Sequence, residues 1–246
     1  MERYSGRWIG FAPTDMPRIA IVAALEREVA LLIRKWQVRT IEHGGRHYRL
    51  FENGNAALIC GGIGADAARR ATEAIIQEFR PAQILSTGFV GGLDPALKVS
   101  EIFEPRTVVN AADGVRTDTA SGRGTLVSYS AVAGREQKEK LRTAYSAAAV
   151  DMEAAAVAQG AELRGVRFAA LKAVSDEAGF NMPPLEKFMK SDGTFRVTPF
   201  VMHFAVRPSL WGPTLALGRN SARASRALCT ALEQYLSRVD ETKVVL

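Results

Sequence analysis

Cysteine is nearly absent: Cys60 lies in an apolar run and Cys229 far along the chain, and these are the only two among 246 residues. Neither has metal-ligand spacing, which excludes a disulfide framework and a cysteine-based zinc site and points to two thiols buried in a reducing compartment. A chain of this length buries enough surface to fold without such staples. Histidine is almost as rare, and His43 and His47 flank the polar Gly44-Gly45 turn, where solvated turn and edge positions explain them better than catalysis does. No stretch approaches the roughly 18 apolar residues of a membrane span, and residues 1–17 lack the apolar core of a signal peptide. The expectation is a cytoplasmic protein with a peripheral contact to the inner membrane face. The net charge of +6 comes mostly from Lys187 to Leu246, where nine Lys/Arg face four Asp/Glu. No stacking-aromatic array or nucleic-acid motif accompanies that excess, so nucleic acid is not the expected partner.

What is present is a steady alternation of strand and helix patterns without a linker, the mark of one α/β domain. Residues 1–17 read as a polar arm, 18–246 as the domain, and 184–246 as a helical C-terminal segment. Arg18–Leu25 is a continuous β-branched run suited to a buried central strand, followed by a helix with Val29, Leu32, Ile33 and Trp36 on one face. Glu26 and Glu28 fall in its first turn, where an acid either complements the dipole or points back over the strand end. A hairpin, Arg46–Glu52 with Ala56–Cys60, leads to Gly61-Gly62-Ile63-Gly64 and a helix over Ala65–Phe79. Glycines at a strand-to-helix turn let amides approach an anion, although tight packing asks for the same residues. A second glycine-rich turn, Thr87 to Leu93, follows a strand at Gln83–Ser86 and contains Gly88 and Phe89.

Further on, Glu101–Val109 and Thr125–Ser130 read as strands, Asn110–Gly124 as a loop and Arg135–Tyr145 as a charged surface helix. The C-terminal segment reads as two or three short helices broken at Pro199, Pro208 and Pro213. Its Phe200, Val201, Phe204, Leu210, Trp211 and Leu215 fit either a helical layer over the sheet or an Arg-flanked interfacial surface. Between these parts lies Ala147–Ala178, in which two strands end in carboxylates, Glu153 and Asp176. In an open α/β sheet the ligand crevice lies outside the carboxyl ends of the strands, which places both acids at its rim. Spacing alone serves equally for a helix-start acid and a turn acid.

LEREV at 25–29, GGIG at 61–64, TGFVGGL at 87–93, VDMEAAAVA at 150–158 and KAVSDEA at 172–178 together resemble the superfamily of purine nucleoside phosphorylases and methylthioadenosine/S-adenosylhomocysteine nucleosidases. The resemblance implies a three-layer α/β/α fold with a central mixed twisted sheet and extra C-terminal helices, in a homodimer or larger homo-oligomer. It implies cleavage of an adenine nucleoside without metal or cofactor, by water or with inorganic phosphate as co-substrate. Asp176, with Ser175 beside it, matches the acid at N7 of the leaving purine. Glu153 matches the carboxylate on the ribose hydroxyls, Met152 the residue under the sugar, and Glu28 the group that positions the nucleophile, with Lys172 nearby. Gly62 and Gly88 belong to the glycine turns that frame this pocket.

The C-terminal stretches SDEAGFNMPP, MKSDG and RPSLWGPTLALGRNSARA resemble a hopanoid-associated phosphorylase branch, which implies an adenosyl-lipid such as adenosylhopane as substrate. A general methylthioadenosine/adenosylhomocysteine nucleosidase is the alternative. Phe89 stands where the nucleosidases carry a small polar residue, Ser86 where phosphorylases place an arginine, and Val132 where a base-stacking aromatic is usual. Those departures motivate a third reading, a non-catalytic nucleoside-binding or membrane-associated module.

Overall fold

A computed structural model describes residues 18–180 and 211–241. The elements run β1 (Ile19–Ala23), α1 (Glu26–Ile33), β2 (Gln37–His43), β3 (Arg46–Asn53), β4 (Ala56–Cys60), α2 (Ala65–Phe79) and β5 (Gln83–Gly92). They continue with β6 (Ile102–Phe103), β7 (Thr107–Asn110), β8 (Arg116–Asp118), β9 (Thr125–Ser128), α3 (Arg135–Tyr145), β10 (Ala149–Asp151), α4 (Ala154–Glu162), β11 (Arg167–Asp176) and α5 (Trp211–Glu241). The strand order is β2-β3-β4-β1-β5-β10-β9-β7-β8, with β11 paired to β5 and β6. α2 and α4 cover one face, α1 and α5 the other, giving the expected three-layer α/β/α architecture around a mixed sheet.

β1 is buried over its whole length and pairs in parallel with both β4 and β5, which is why its sequence is an unbroken apolar run. β5 organises the sheet around itself. Its first residues pair with β1, its last two pair antiparallel with β10, and β11 runs beside it almost from end to end. Where β5 exchanges β1 for β10, the sheet opens a crevice at its carboxyl edge.

The glycine-rich segment Thr87–Leu93 is therefore not a turn: β5 continues through it to Gly92. Pairing with β11 overrides the weak strand propensity of glycine. The expected strand at Glu101–Val109 divides into β6 and β7, and the loop Asn110–Gly124 contains β8 as a hairpin partner of β7.

The C-terminal portion also departs from expectation. Residues 211–241 form one 31-residue helix rather than short pieces broken at Pro213. Pro213 sits in the first turn, where no intrahelical N–H partner is required, so the helix runs through it. Ala224, Leu228, Cys229 and Leu232 bury one stripe of α5 against α1 and the sheet. The Ser225 hydroxyl is shared between the carbonyls of Arg27 and Glu28 at 3.2 and 3.0 Å, and Gln83 donates to the Tyr235 hydroxyl at 2.9 Å. Pro199, Pro208, Phe200, Val201, Phe204 and Leu210 lie outside the described residues, and Leu215 is exposed. Among the described residues no helix is long and apolar enough to cross a membrane.

Candidate active site

A cavity of about 760 Å³ occupies the crevice. Glu28 from α1, Glu153 at the start of α4 and Asp176 at the end of β11 all line it, together with Phe89, Val132, Met152 and Ser175. Three acids distant in sequence thus meet in one chamber. Of the two acids in the first turn of α1, Glu26 is half-buried and pairs with Arg49 at 2.7 Å, whereas Glu28 is buried.

Glu28 accepts the Leu25 N–H at 3.4 Å, and its carboxyl is pushed up to about 7 because burial outweighs that bond and the charge of Lys172. The backbone across from it is Gly88, at φ +132°, where a Cβ would stand 2.9 Å from Glu28 Oε2. Gly88 therefore makes room for the acid rather than contacting the cavity.

Glu153 turns back from the start of α4. It accepts the Gly64 N–H at 2.7 Å and the Met152 N–H at 3.2 Å. Its carboxyl is also pushed up to about 7, by burial first and by neighbouring Asp151 second, against the opposing influence of Lys172 and Gly64. The three glycine amides of GGIG are consequently occupied from within the protein: Gly64 serves Glu153, and the Gly61 and Gly62 N–H groups bond the Ala23 and Ala24 carbonyls, each at 3.0 Å. Gly62 does not line the cavity; Ile63 does.

Asp176 reaches the cavity through a slip in register between Val174 and Asp176 opposite β5. Side chains of a regular strand alternate between faces, and the irregularity lets Ser175 and Asp176 line the same chamber. Ser175 donates to Asp176 Oδ1 at 2.6 Å, and the Lys138 ammonium donates to Oδ2. Gly91 is confined beside this pair, with an added Cβ placed 3.1 Å from Asp176 Oδ2 and 3.2 Å from Lys138 Cε.

Two groups at the site were not singled out by the sequence. Asp151 holds Lys172 at 2.9 Å, accepts the Ser128 hydroxyl at 2.6 Å and caps α4 through the Ala154 N–H at 2.9 Å. Its signal was the Asp-x-x-Ala step into α4, a side-chain cap pattern. Lys138 belongs to the helix expected to be a charged surface element, yet it is buried. Its signal was position: it shares a helical face with Leu141, one turn on.

Lys172 does not reach the cavity wall. Its ammonium lies between Asp151, the Ser86 hydroxyl at 3.0 Å and the Thr87 carbonyl at 3.4 Å, from where its charge acts on both Glu28 and Glu153. His43 and His47 remain on the β2–β3 hairpin, outside the cavity. No group of three His, Cys, Asp or Glu side chains suited to a metal ion occurs among the described residues.

The two raised carboxyls make a stability prediction. Each binds its proton more tightly folded than unfolded, so between pH 4.5 and 7 the native state carries the greater number of protons. Stability of the ligand-free protein should then fall as pH rises through that window, by up to about 3 kcal/mol per group. Thermal midpoints recorded from pH 5 to 8 should decline, and Glu28→Gln should flatten the decline. A midpoint that rises over this range would contradict the assignment.

The mixed sheet between two helical layers is an architecture shared with solved nucleosidase structures. A family model described as the phosphorylase superfamily matches residues 18–134 and 111–195. The chain belongs to the phosphorylase superfamily. It is 29% identical over 199 residues to the 5′-methylthioadenosine/S-adenosylhomocysteine nucleosidase of Anoxybacillus flavithermus, a match covering 65% of this chain and 86% of that protein.

The fold is similar to that of Arabidopsis thaliana 5′-methylthioadenosine nucleosidase, with a TM-score of 0.71 at 18% identity over 92% of this chain and 97% of the other. Futalosine hydrolase of Helicobacter pylori gives 0.64 at 18% identity over 89% and 98%. The matches to methylthioadenosine and adenosylhomocysteine nucleosidases overturn the placement in a hopanoid-associated phosphorylase branch. That placement rested on C-terminal stretches of which 181–210 lie outside the described residues, 175–180 close β11 and run just past it, and 211–224 lie in α5.

Proposed function

We propose that the protein hydrolyses the N-glycosidic bond of an adenine nucleoside of the methylthioadenosine/adenosylhomocysteine type. The observation that carries this reading is the convergence of Glu28, Glu153 and Asp176 on one cavity, Glu28 and Asp176 buried and Glu153 half-buried. Breaking a ribosyl C–N bond develops positive charge on the sugar and negative charge on the base. Asp176 stands for the base end, with Ser175 fixing its carboxyl. Glu153, held by two backbone amides, stands for the ribose hydroxyls above Met152. Glu28 titrates near neutrality, which suits a base that accepts a proton from attacking water.

Water is favoured over phosphate by the electrostatics. Lys172 is already engaged by Asp151 and Ser86, and a phosphate placed against Glu28 would set two anions together in a buried site. The test is adenine release from methylthioadenosine and adenosylhomocysteine, with and without inorganic phosphate. Release without phosphate, yielding the free sugar, is expected; strict phosphate dependence with a sugar 1-phosphate product would reject hydrolysis.

The cavity also favours a second reading of the 5′ substituent. Its wall on α5 is built from the small or apolar Thr214, Leu217, Gly218, Ser221 and Ala222, with Ser225 and Arg226 beyond them, around a cavity of about 760 Å³. That supports acceptance of a bulky apolar 5′ group, up to a lipid-linked adenosine. A series of 5′-alkylthioadenosines of increasing length tests it: kcat/KM that holds or rises with length favours the bulky substrate, and a steep fall beyond methyl rejects it.

A further inference from the structure

The buried lysine at the base end of the cavity is not accounted for by the three acids. Lys138 is the only basic residue of α3 that is buried, and it lines the cavity beside Asp176. It donates to Asp176 Oδ2 and, at 2.8 Å, to the Glu177 carbonyl. A lysine carries three donor hydrogens and is rarely buried without a partner. Gly91 closes against its terminal atoms, so the pair occupies a fitted recess rather than a chance contact.

The hydrogen-bond directions give this pair a consequence for the reaction. Asp176 already accepts at both oxygens, from Ser175 at Oδ1 and from Lys138 at Oδ2. A carboxylate in that state offers no hydrogen to N7 of a purine, which is itself an acceptor. The hydrogen must come from a neighbour, and the neighbour with a transferable one is the ammonium.

We propose that Lys138 supplies the proton that Asp176 passes to N7 of the departing purine. The inference rests on the glycoside-cleaving reading above. As the C1′–N9 bond breaks, its electron pair goes to the purine, an Nζ–H bond of Lys138 breaks, and Asp176 takes that proton and gives it up to form the N7–H bond, ending as the carboxylate it was at the start. Lys138 is left as a neutral amine and recovers a proton from solvent when the base departs. The water that attacks C1′ loses one proton through Glu28, so the net change is the splitting of one water across the glycosidic bond. Lys138 acts through Asp176 and is a positioning residue with a proton to give.

The experiment compares adenine with 7-deazaadenine, in which a C–H replaces N7, by calorimetric binding to wild type, Lys138→Gln and Lys138→Met. It adds kcat and KM for methylthioadenosine. Wild type should prefer adenine by about tenfold or more, and both variants should bind the two bases equally. Their kcat should fall by about 10²-fold or more, in the range of a lost general acid, with KM changed by less than about threefold. Variants that keep the adenine preference and the wild-type kcat would overturn the proposal, as would a wild type with no preference for adenine. Equal loss of both ligands would also overturn it, because a residue that merely supports the fold has no reason to distinguish N7.

Lys138→Arg guards against loss of fold. It keeps a buried cation against Asp176 but holds its proton too firmly to release it. A folded arginine variant that turns over at the wild-type rate would reduce Lys138 to a charge partner and reject proton supply. Should wild type release no adenine from either nucleoside, the functional reading fails, and the two-base comparison still decides the role of Lys138.

Discussion

Replacing Asp176 by asparagine is expected to lower turnover of an adenine nucleoside by about 10²- to 10⁴-fold, the usual worth of a positioned general acid. The amide keeps the size and one acceptor oxygen, so the Ser175 contact and the shape of the cavity survive. It cannot pass a proton to the purine. The substitution also leaves the Lys138 ammonium without its carboxylate inside the protein, and breaking one side of a buried ion pair costs roughly 3–5 kcal/mol. Both effects should be visible: kcat measured well below the lowered thermal midpoint, and the midpoint itself. Turnover within about threefold of wild type in a folded Asp176→Asn protein would remove the carboxyl from proton transfer.

Glu28→Gln should show the second large effect, a loss of about 10²- to 10⁴-fold in hydrolysis with adenine binding retained. In the wild type, kcat/KM should fall on the acid side with a midpoint near 7, because Glu28 accepts a proton only when ionised. In the variant the residual rate should lose that limb or show it at lower pH. Glu153 is the other carboxyl raised to about 7, and ionised Glu28 is among the charges that raise it. Removing that charge lets Glu153 ionise more easily. A limb unchanged in position would place the titrating group elsewhere.

How much of this was legible in the sequence depends on which force decides each element. The buried run of β1 and the length of α2 follow from local pattern, because periodicity is a property of short stretches, whereas the acids at 28, 153 and 176 are tied together only by the resemblance of the motifs that carry them. The glycine segment after Ser86 reads as a turn because glycine is a weak strand former, and only pairing with the distant β11 keeps β5 extended through Gly92. Pro213 reads as a break because its position relative to the helix start is unknown until the helix is seen. Lys138 is the hardest case. In the run REQKEKL, four charged neighbours share its character, and its burial depends on how α3 lies against β9 and β10 and on the distant Gly91 of β5. The same holds for Lys172, expected near the nucleophile but held back by Asp151 and Ser86.

The packing of α5 has an implication for how such a protein changes over time. Glu28, Glu153 and Asp176 are fixed by the sheet and its flanking helix starts, whereas Thr214, Leu217, Gly218, Ser221 and Ala222 sit on one helix tied to α1 through Ser225 and Cys229. On the proposed function, bond cleavage and the fit of the substrate's variable end are encoded in separate stretches of chain. On that reading, substitutions along the first turns of α5 should alter which nucleoside is accepted while leaving the acids in place, which makes that helix the natural place to search for retargeted variants.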